Sequence, residues 1–273
     1  MLKYPQITHK EISMTIQNKF IILGIIFALV LILAVSLIII SNINSKAMNS
    51  CAENALTLLE NNFKVTQTDL DAQSKLKLNA MMKFKIAQYD IENLGNLSIM
   101  KMNMGIMQML TFVITPYEKN LPLLSADYMY ILGTRKTYLE FYDLVENKDD
   151  NYTILLSKLK STMENFANLE DIEASDAWYD HLLTVTTYKT GKPKDDKTFN
   201  ALLTENLQVY SDFAKSLPQL DESQKSTKKS ITVAYTDGLI EKGGISTDIF
   251  KKSLGDEKTK EFFDTIFFGS ANY

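Results

Sequence analysis

An α+β fold behind an N-terminal membrane anchor is what this sequence predicts, on three observations. The run from Phe20 to Ile40 holds 21 residues without a charge. The stretch from Leu97 to Val145 alternates apolar and polar side chains with the period of two that strands require. From Asp149 onward the chain carries apolar stripes at helical spacing, interrupted by one more strand pattern. Antiparallel strands grouped in the middle, with helices before and after, make an α+β domain.

Taken in order, the first 19 residues form a short segment carrying Lys3, Lys10 and Lys19. The apolar run at 20–40 is long enough to cross the hydrocarbon core as a helix. It is too long for a signal-peptide core, and no small-x-small cleavage site follows it, so it is expected to be an uncleaved, single-pass signal anchor. Three lysines before the span against Lys46 close behind it place the N-terminus in the cytoplasm and the folded part outside the cell membrane.

Residues 41–75 read as an amphipathic helical connector, because Ala52, Ala55, Leu56, Leu59 and Phe63 fall on one helical face. The domain proper is expected over 76–273. Residues 75–90 give its first strand region, and Asn93-Leu-Gly-Asn96 turns the chain into the central meander. Ile99 to Ile114 reads as one strand in which Met100, Met102 and Met104, then Leu110, Phe112 and Ile114, share a parity and hence a face. Leu121 to Tyr130 is the next strand, Gly133-Thr-Arg-Lys136 a turn, and Thr137 to Val145 the return.

Asp149 caps a helix whose stripe is Tyr152, Leu155, Leu156, Leu159, Met163 and Phe166. A further strand carries Leu183, Val185 and Thr187, followed by a long helix from Asp196 to Pro218. Asp221 with Gln224 forms a capping box for the next helix, which stops at Gly243-Gly244. Ser246 and Asp256 are expected to cap two short final helices separated by Gly255.

Three of the 29 basic residues and one of the 33 acidic ones precede the span, leaving a net charge of −6 beyond it. That balance excludes nucleic acid as a partner and argues against anionic lipid beyond the anchor. Arg135 is the only arginine, and the single Cys51 rules out an intrachain disulfide. There is no nucleophile elbow, zinc-spaced Cys/His set, dinucleotide fingerprint or phosphate loop. Met100, Met102, Met104, Met107 and Met109 are soft donors of the kind copper(I) accepts, but no histidine or cysteine lies near them in sequence, and methionine fills irregular apolar sites equally well.

Asp127 stands out as the one carboxylate in the apolar, aromatic stretch Leu121-Pro-Leu-Leu-Ser-Ala-Asp-Tyr-Met-Tyr130. In an apolar pocket its pKa rises and it can hold a proton for delivery; on an exposed strand it is an ordinary aspartate. His181, the only histidine after the span, can act in acid–base chemistry or serve only as a structural side chain. Glu140 and Asp143 alternate onto opposite faces and form no pair with each other.

The segment Phe112-Val-Ile-Thr-Pro116 followed by Leu121-Pro-Leu-Leu-Ser-Ala-Asp127 resembles the ferredoxin-dependent bilin reductases, in which the matching aspartate protonates the tetrapyrrole. The ending Phe250-Lys-Lys-Ser-Leu-Gly255 then Phe262-Phe-Asp-Thr-Ile-Phe-Phe268 is similar to theirs, and the likeness spans roughly residues 80 to 273. It implies a three-layer α/β/α sandwich with a central antiparallel sheet and a bilin or haem-derived tetrapyrrole held between sheet and C-terminal helices. It also implies Asp127 as the catalytic proton donor, no intrinsic cofactor, and electrons from a donor protein. Met102, Met104, Leu110, Phe112, Met129 and His181 are the expected ligand-binding residues. Three departures accompany it: Leu110 stands near the position of a family polar group, Gly243-Gly244 where some members carry a second aspartate, and Glu173 near a propionate-binding arginine. The alternative is a non-enzymatic, extracytoplasmic ligand-binding or sensory domain on the same single-pass anchor.

Overall fold

The computed structural model describes residues 9–80, 82–173 and 176–273. Lys3, counted above in the orientation argument, lies outside them. The chain opens with α1, His9–Asn62, a single unbroken helix of 54 residues. Its most apolar window has a mean hydropathy of 3.3, none of it is buried, and by length and composition it can cross a membrane.

A nine-stranded sheet follows, built from β1 (Val65–Thr68), β2 (Lys75–Lys77), β3 (Lys83–Ile91), β4 (Gly95–Asn103), β5 (Met107–Thr115), β6 (Leu123–Ile131), β7 (Thr134–Tyr142), β8 (Glu170–Asp171) and β9 (Leu183–Gly191). The spatial order is β1-β3-β4-β5-β6-β7-β9-β8, with β2 also on β3, and every pairing is antiparallel. The helices are α2 (Asp150–Glu164), α3 (Asp196–Ser216), α4 (Glu222–Lys242), α5 (Ile245–Leu254) and α6 (Asp256–Phe262).

Alternation along the strands sorts the side chains into two cores. Leu97, Ile99, Leu110, Phe112, Leu124, Ala126 and Tyr128 face the second half of α1 together with α2 and α3. Phe84, Ile86, Met100, Met102, Val113 and Tyr142 face α4, α5 and α6. The architecture is the expected α/β/α sandwich with its central antiparallel sheet, preceded by an apolar helix.

Two expectations are corrected in ways that bear on function. Residues 41–75 are not a connector. Met48, Cys51, Ala52, Ala55 and Leu59 of α1 are buried against the sheet, and 65–77 supply two strands, so the boundary drawn at residue 76 cuts through the fold. The run Ile99 to Ile114 is likewise two strands. Met104 donates its backbone N–H to the Met107 carbonyl (2.8 Å), and the chain reverses through Gly105, whose φ of +78° suits a residue without Cβ. The reversal sets Met102 opposite Met109 and so inverts the parity along β5 relative to β4. Only a lone glycine between apolar neighbours marks this turn in the sequence, so the alternation ran straight across it.

The caps are mostly as expected. Asp149 accepts from the Tyr152 N–H at the start of α2, and Asp221 and Gln224 form the reciprocal box of α4. Gly244 and Gly255, rather than Ser246 and Asp256, occupy the caps of α5 and α6. Arg135 lies inside β7 rather than in a turn and is 1% exposed. Its guanidinium forks onto Asp196 (2.5 and 3.1 Å) and donates to Asn44 Oδ1 (2.8 Å), tying α1, the sheet and α3 together.

Candidate functional site

Period-two alternation in β6 turns Leu124, Ala126, Tyr128 and Tyr130 toward α1 and α3, and leaves Ser125, Asp127 and Met129 on the face that α4–α6 cover. Asp127 thus sits on a central strand, with Thr111 of β5 and Tyr138 of β7 as its cross-strand neighbours. The Thr111 hydroxyl donates to Asp127 Oδ1 at 2.5 Å. Burial pushes the Asp127 carboxyl up to about 6, against the lowering effect of that hydrogen bond, and the nearby negative charge of Glu140 adds to the rise.

Glu140 lies on the same face of β7, beside Ser125 in the register and diagonal to Asp127. Both of its oxygens are occupied: Tyr142 donates its hydroxyl to Oε2 (2.6 Å) and Tyr188 of β9 donates to Oε1 (2.9 Å). Burial raises the Glu140 pKa, and the two phenol hydrogen bonds partly offset that rise. Two carboxyls with raised proton affinity therefore share one sheet face within electrostatic reach of each other. A carboxylic acid that keeps its proton close to neutral pH can donate it to a bound molecule, which an ordinary aspartate cannot.

Aromatic rings surround this pair. Tyr142 lies 5.4 Å from Tyr235 of α4 and 6.0 Å from Tyr179, and Tyr138 lies 5.4 Å from Tyr188, centre to centre. Trp178 abuts Tyr179 and Tyr235 and donates its indole N–H to the Gly243 carbonyl (2.8 Å). Flat rings of this kind are suited to a flat, conjugated guest.

Of the residues expected to line a cleft, Met102 is buried on the Asp127 face and Met129 is half-buried two positions along β6. Met104 is half-buried at the reversal after β4 and packs at the edge of the same cluster. Leu110 and Phe112 are corrected: both are fully buried on the opposite face, against α1 and α3, because the turn at Gly105 reverses their parity. His181 is exposed in a single 3-10 turn ahead of β9, its Nδ1 3.0 Å from the Trp178 carbonyl. Thr111, Glu140, Tyr142 and Tyr188 were not anticipated. The spacing Tyr138-x-Glu140-x-Tyr142 held a signal, since it puts a carboxylate between two phenols on one face. Among the described residues no group of three His, Cys, Asp or Glu side chains is arranged to hold a metal ion.

No protein-family model and no curated protein sequence matches the chain. Among solved structures it is similar to selenomethionine phytochromobilin synthase from tomato, determined in complex with biliverdin. The TM-score is 0.64 at 14% identity, over 82% of this chain and 83% of that one. At that identity the likeness establishes the fold, and the chain shares its fold with a protein solved with biliverdin bound.

Proposed function

We propose that this chain is a membrane-anchored, bilin reductase-like protein that binds a linear tetrapyrrole between the sheet and helices α4–α6. Asp127 is the proton donor in this reading. The observation that carries it is the placement of Asp127 on a central strand, facing the C-terminal helices, with its carboxyl raised to about 6 by burial. Reduction of one conjugated double bond takes up two electrons and two protons. Asp127 supplies one proton from its carboxyl, solvent water supplies the second, and both electrons come from a donor protein. Because the folded part is acidic overall, a donor with a basic face suits it best. The exposed apolar half of α1 supports the anchor, and the lysines ahead of it support an extracytoplasmic position for the folded part.

The test uses the full chain in detergent micelles, mixed with biliverdin and a chemical reductant while absorbance is followed. The expected result is a perturbed bilin spectrum that progresses to a reduced product. Asp127→Asn is expected to leave the initial perturbation and lower the rate at least ~100-fold, the usual scale of a lost general acid. An unperturbed spectrum sinks the proposal.

One observation favours a non-catalytic binder instead. Arg135 is committed internally to Asp196 and Asn44, so no arginine is free to meet a propionate. Spectral perturbation without turnover, equal in the native chain and Asp127→Asn, selects that reading.

A further inference from the structure

The acidic overall balance hides a strongly basic patch that only the folded sheet assembles. In the register of β2, β3 and β4, Lys75 lies opposite Lys85 and Lys85 opposite Lys101, while Lys77 lies opposite Lys83 in the next row. All five have odd numbers on strands whose even residues Leu76, Phe84 and Met102 pack under α4–α6, so all five point to the α1 side. Like charges set directly across strands repel. Among the described residues none of the five pairs with a carboxylate; Lys101 donates only to Asn49 Oδ1 (3.2 Å). They border an open cavity of about 460 Å³ that α1 closes at Ser45, Met48 and Asn49, with Leu76, Phe84, Met102 and Asn103 of the strands completing the lining, and no acidic side chain lines it.

The position of this cavity relative to the apolar run bears on what it can bind. α1 is unbroken, and the apolar run ends at Ile40. One residue later Ser41 Oγ accepts from Gln108 (3.2 Å), and Ser45 Oγ accepts from Asn103 (3.1 Å). The basic cavity therefore begins within about two helical turns of the end of the apolar run. The two hairpin tips beside that exit, joined by the Leu132 N–H to Ile106 carbonyl hydrogen bond (2.9 Å), leave Ile106 and Leu132 50% and 41% exposed. Apolar tips at the level of the helix exit, with a lysine row just above them, match the acyl and phosphate layers of a bilayer in turn.

We infer that the cleft between α1 and β2–β4 is a binding site for the phosphate headgroup of an anionic phospholipid in the leaflet from which α1 emerges. It rests on α1 being a membrane anchor and not on any tetrapyrrole chemistry. It also reverses, locally, the reading of the net charge as unfavourable to anionic lipid.

The full chain is reconstituted into nanodiscs of phosphatidylcholine, with or without phosphatidylglycerol, and lysine acetylation is followed by mass spectrometry. Phosphatidylglycerol is expected to slow modification of Lys75, Lys85 and Lys101 several-fold, with exposed Lys160 and Lys258 as unaffected references. Lys85→Glu, at the centre of the row, is expected to abolish that protection at Lys75 and Lys101. Each lysine lost weakens headgroup attraction by about fivefold. Equal rates in both lipids overturn the inference, as does equal protection by inorganic phosphate in phosphatidylcholine discs, which marks a soluble-anion site. If the chain fails to co-elute with the discs, the anchor and this inference fall together; co-elution without selective protection removes the lipid site alone.

Discussion

Asp127 carries an electrostatic cost that pH titration exposes. Its folded pKa of about 6 lies above the ~3.9 of an unfolded aspartate. Between those values the folded state holds more protons than the unfolded one, so stability falls as pH rises from about 4 to about 6 and stays lower above that. Asp127→Asn removes the charge but keeps a carbonyl to accept from Thr111. It is expected to gain on the order of 1–2 kcal/mol at pH 8 and nothing at pH 4, read from denaturant midpoints at the two values. A variant no more stable than the native chain at pH 8 contradicts a carboxyl held in an apolar setting. Asp127 was legible in the sequence because it is the one charge in an aromatic strand. Thr111 and Glu140 were not, because cross-strand neighbours are set by a register that depends on turns the sequence marked weakly. Cys51, raised to about 12 by burial, is a packing residue and not a nucleophile.

At the level of elements, the packing of α4 turns on a missing side chain. A Cβ at Gly238 would stand 2.4 Å from Trp178 Cη2, so the indole lies against the bare helix backbone there. Gly238→Ala gains up to ~1 kcal/mol of helix propensity and still is expected to destabilise by ~1–3 kcal/mol, because overpacking dominates. The chain has one tryptophan, so its fluorescence reports the displacement directly: a shifted emission maximum is expected, and an unchanged one refutes the contact. Helices were read well because stripes and caps are local; Asp149, Asp221 and Gln224 act where spacing placed them. Strands were read less well. The β4–β5 reversal has neither Asn-Gly nor proline, and missing it moved Leu110 and Phe112 to the wrong face. The short strands β1 and β2 have no periodic signal, and exist because β3 offers them an edge.

Over the whole molecule, the decisive feature is that one helix carries both an apolar stretch long enough to cross a membrane and a part of the core. Met48, Cys51, Ala52, Ala55 and Leu59 cover the same face of the sheet as Leu97 and Phe112. A chain beginning at residue 41 is expected to fold as a soluble monomer, whereas one beginning at residue 76 exposes that face and aggregates. Circular dichroism and size-exclusion chromatography of the two separate these outcomes; a folded monomer from 76–273 shows α1 to be dispensable. Composition gave the net charge, and the lysine rows escaped it because they are far from the span in sequence and meet it only through β-pairing.

The contacts of Ser41 with Gln108, Ser45 with Asn103 and Asn49 with Lys101 lay α1 across β5 and β4, running opposite to β4. If the helix stands across a bilayer, the sheet stands upright on it like a sail on its mast, with Asp127 about four residues, or ~13 Å, above the lower hairpin tips. The face of the sheet that carries Asp127 then looks out parallel to the lipid plane. On the proposed reductase reading, a donor protein would then approach along the membrane surface, so a tethered donor fits that reading better than a freely diffusing one.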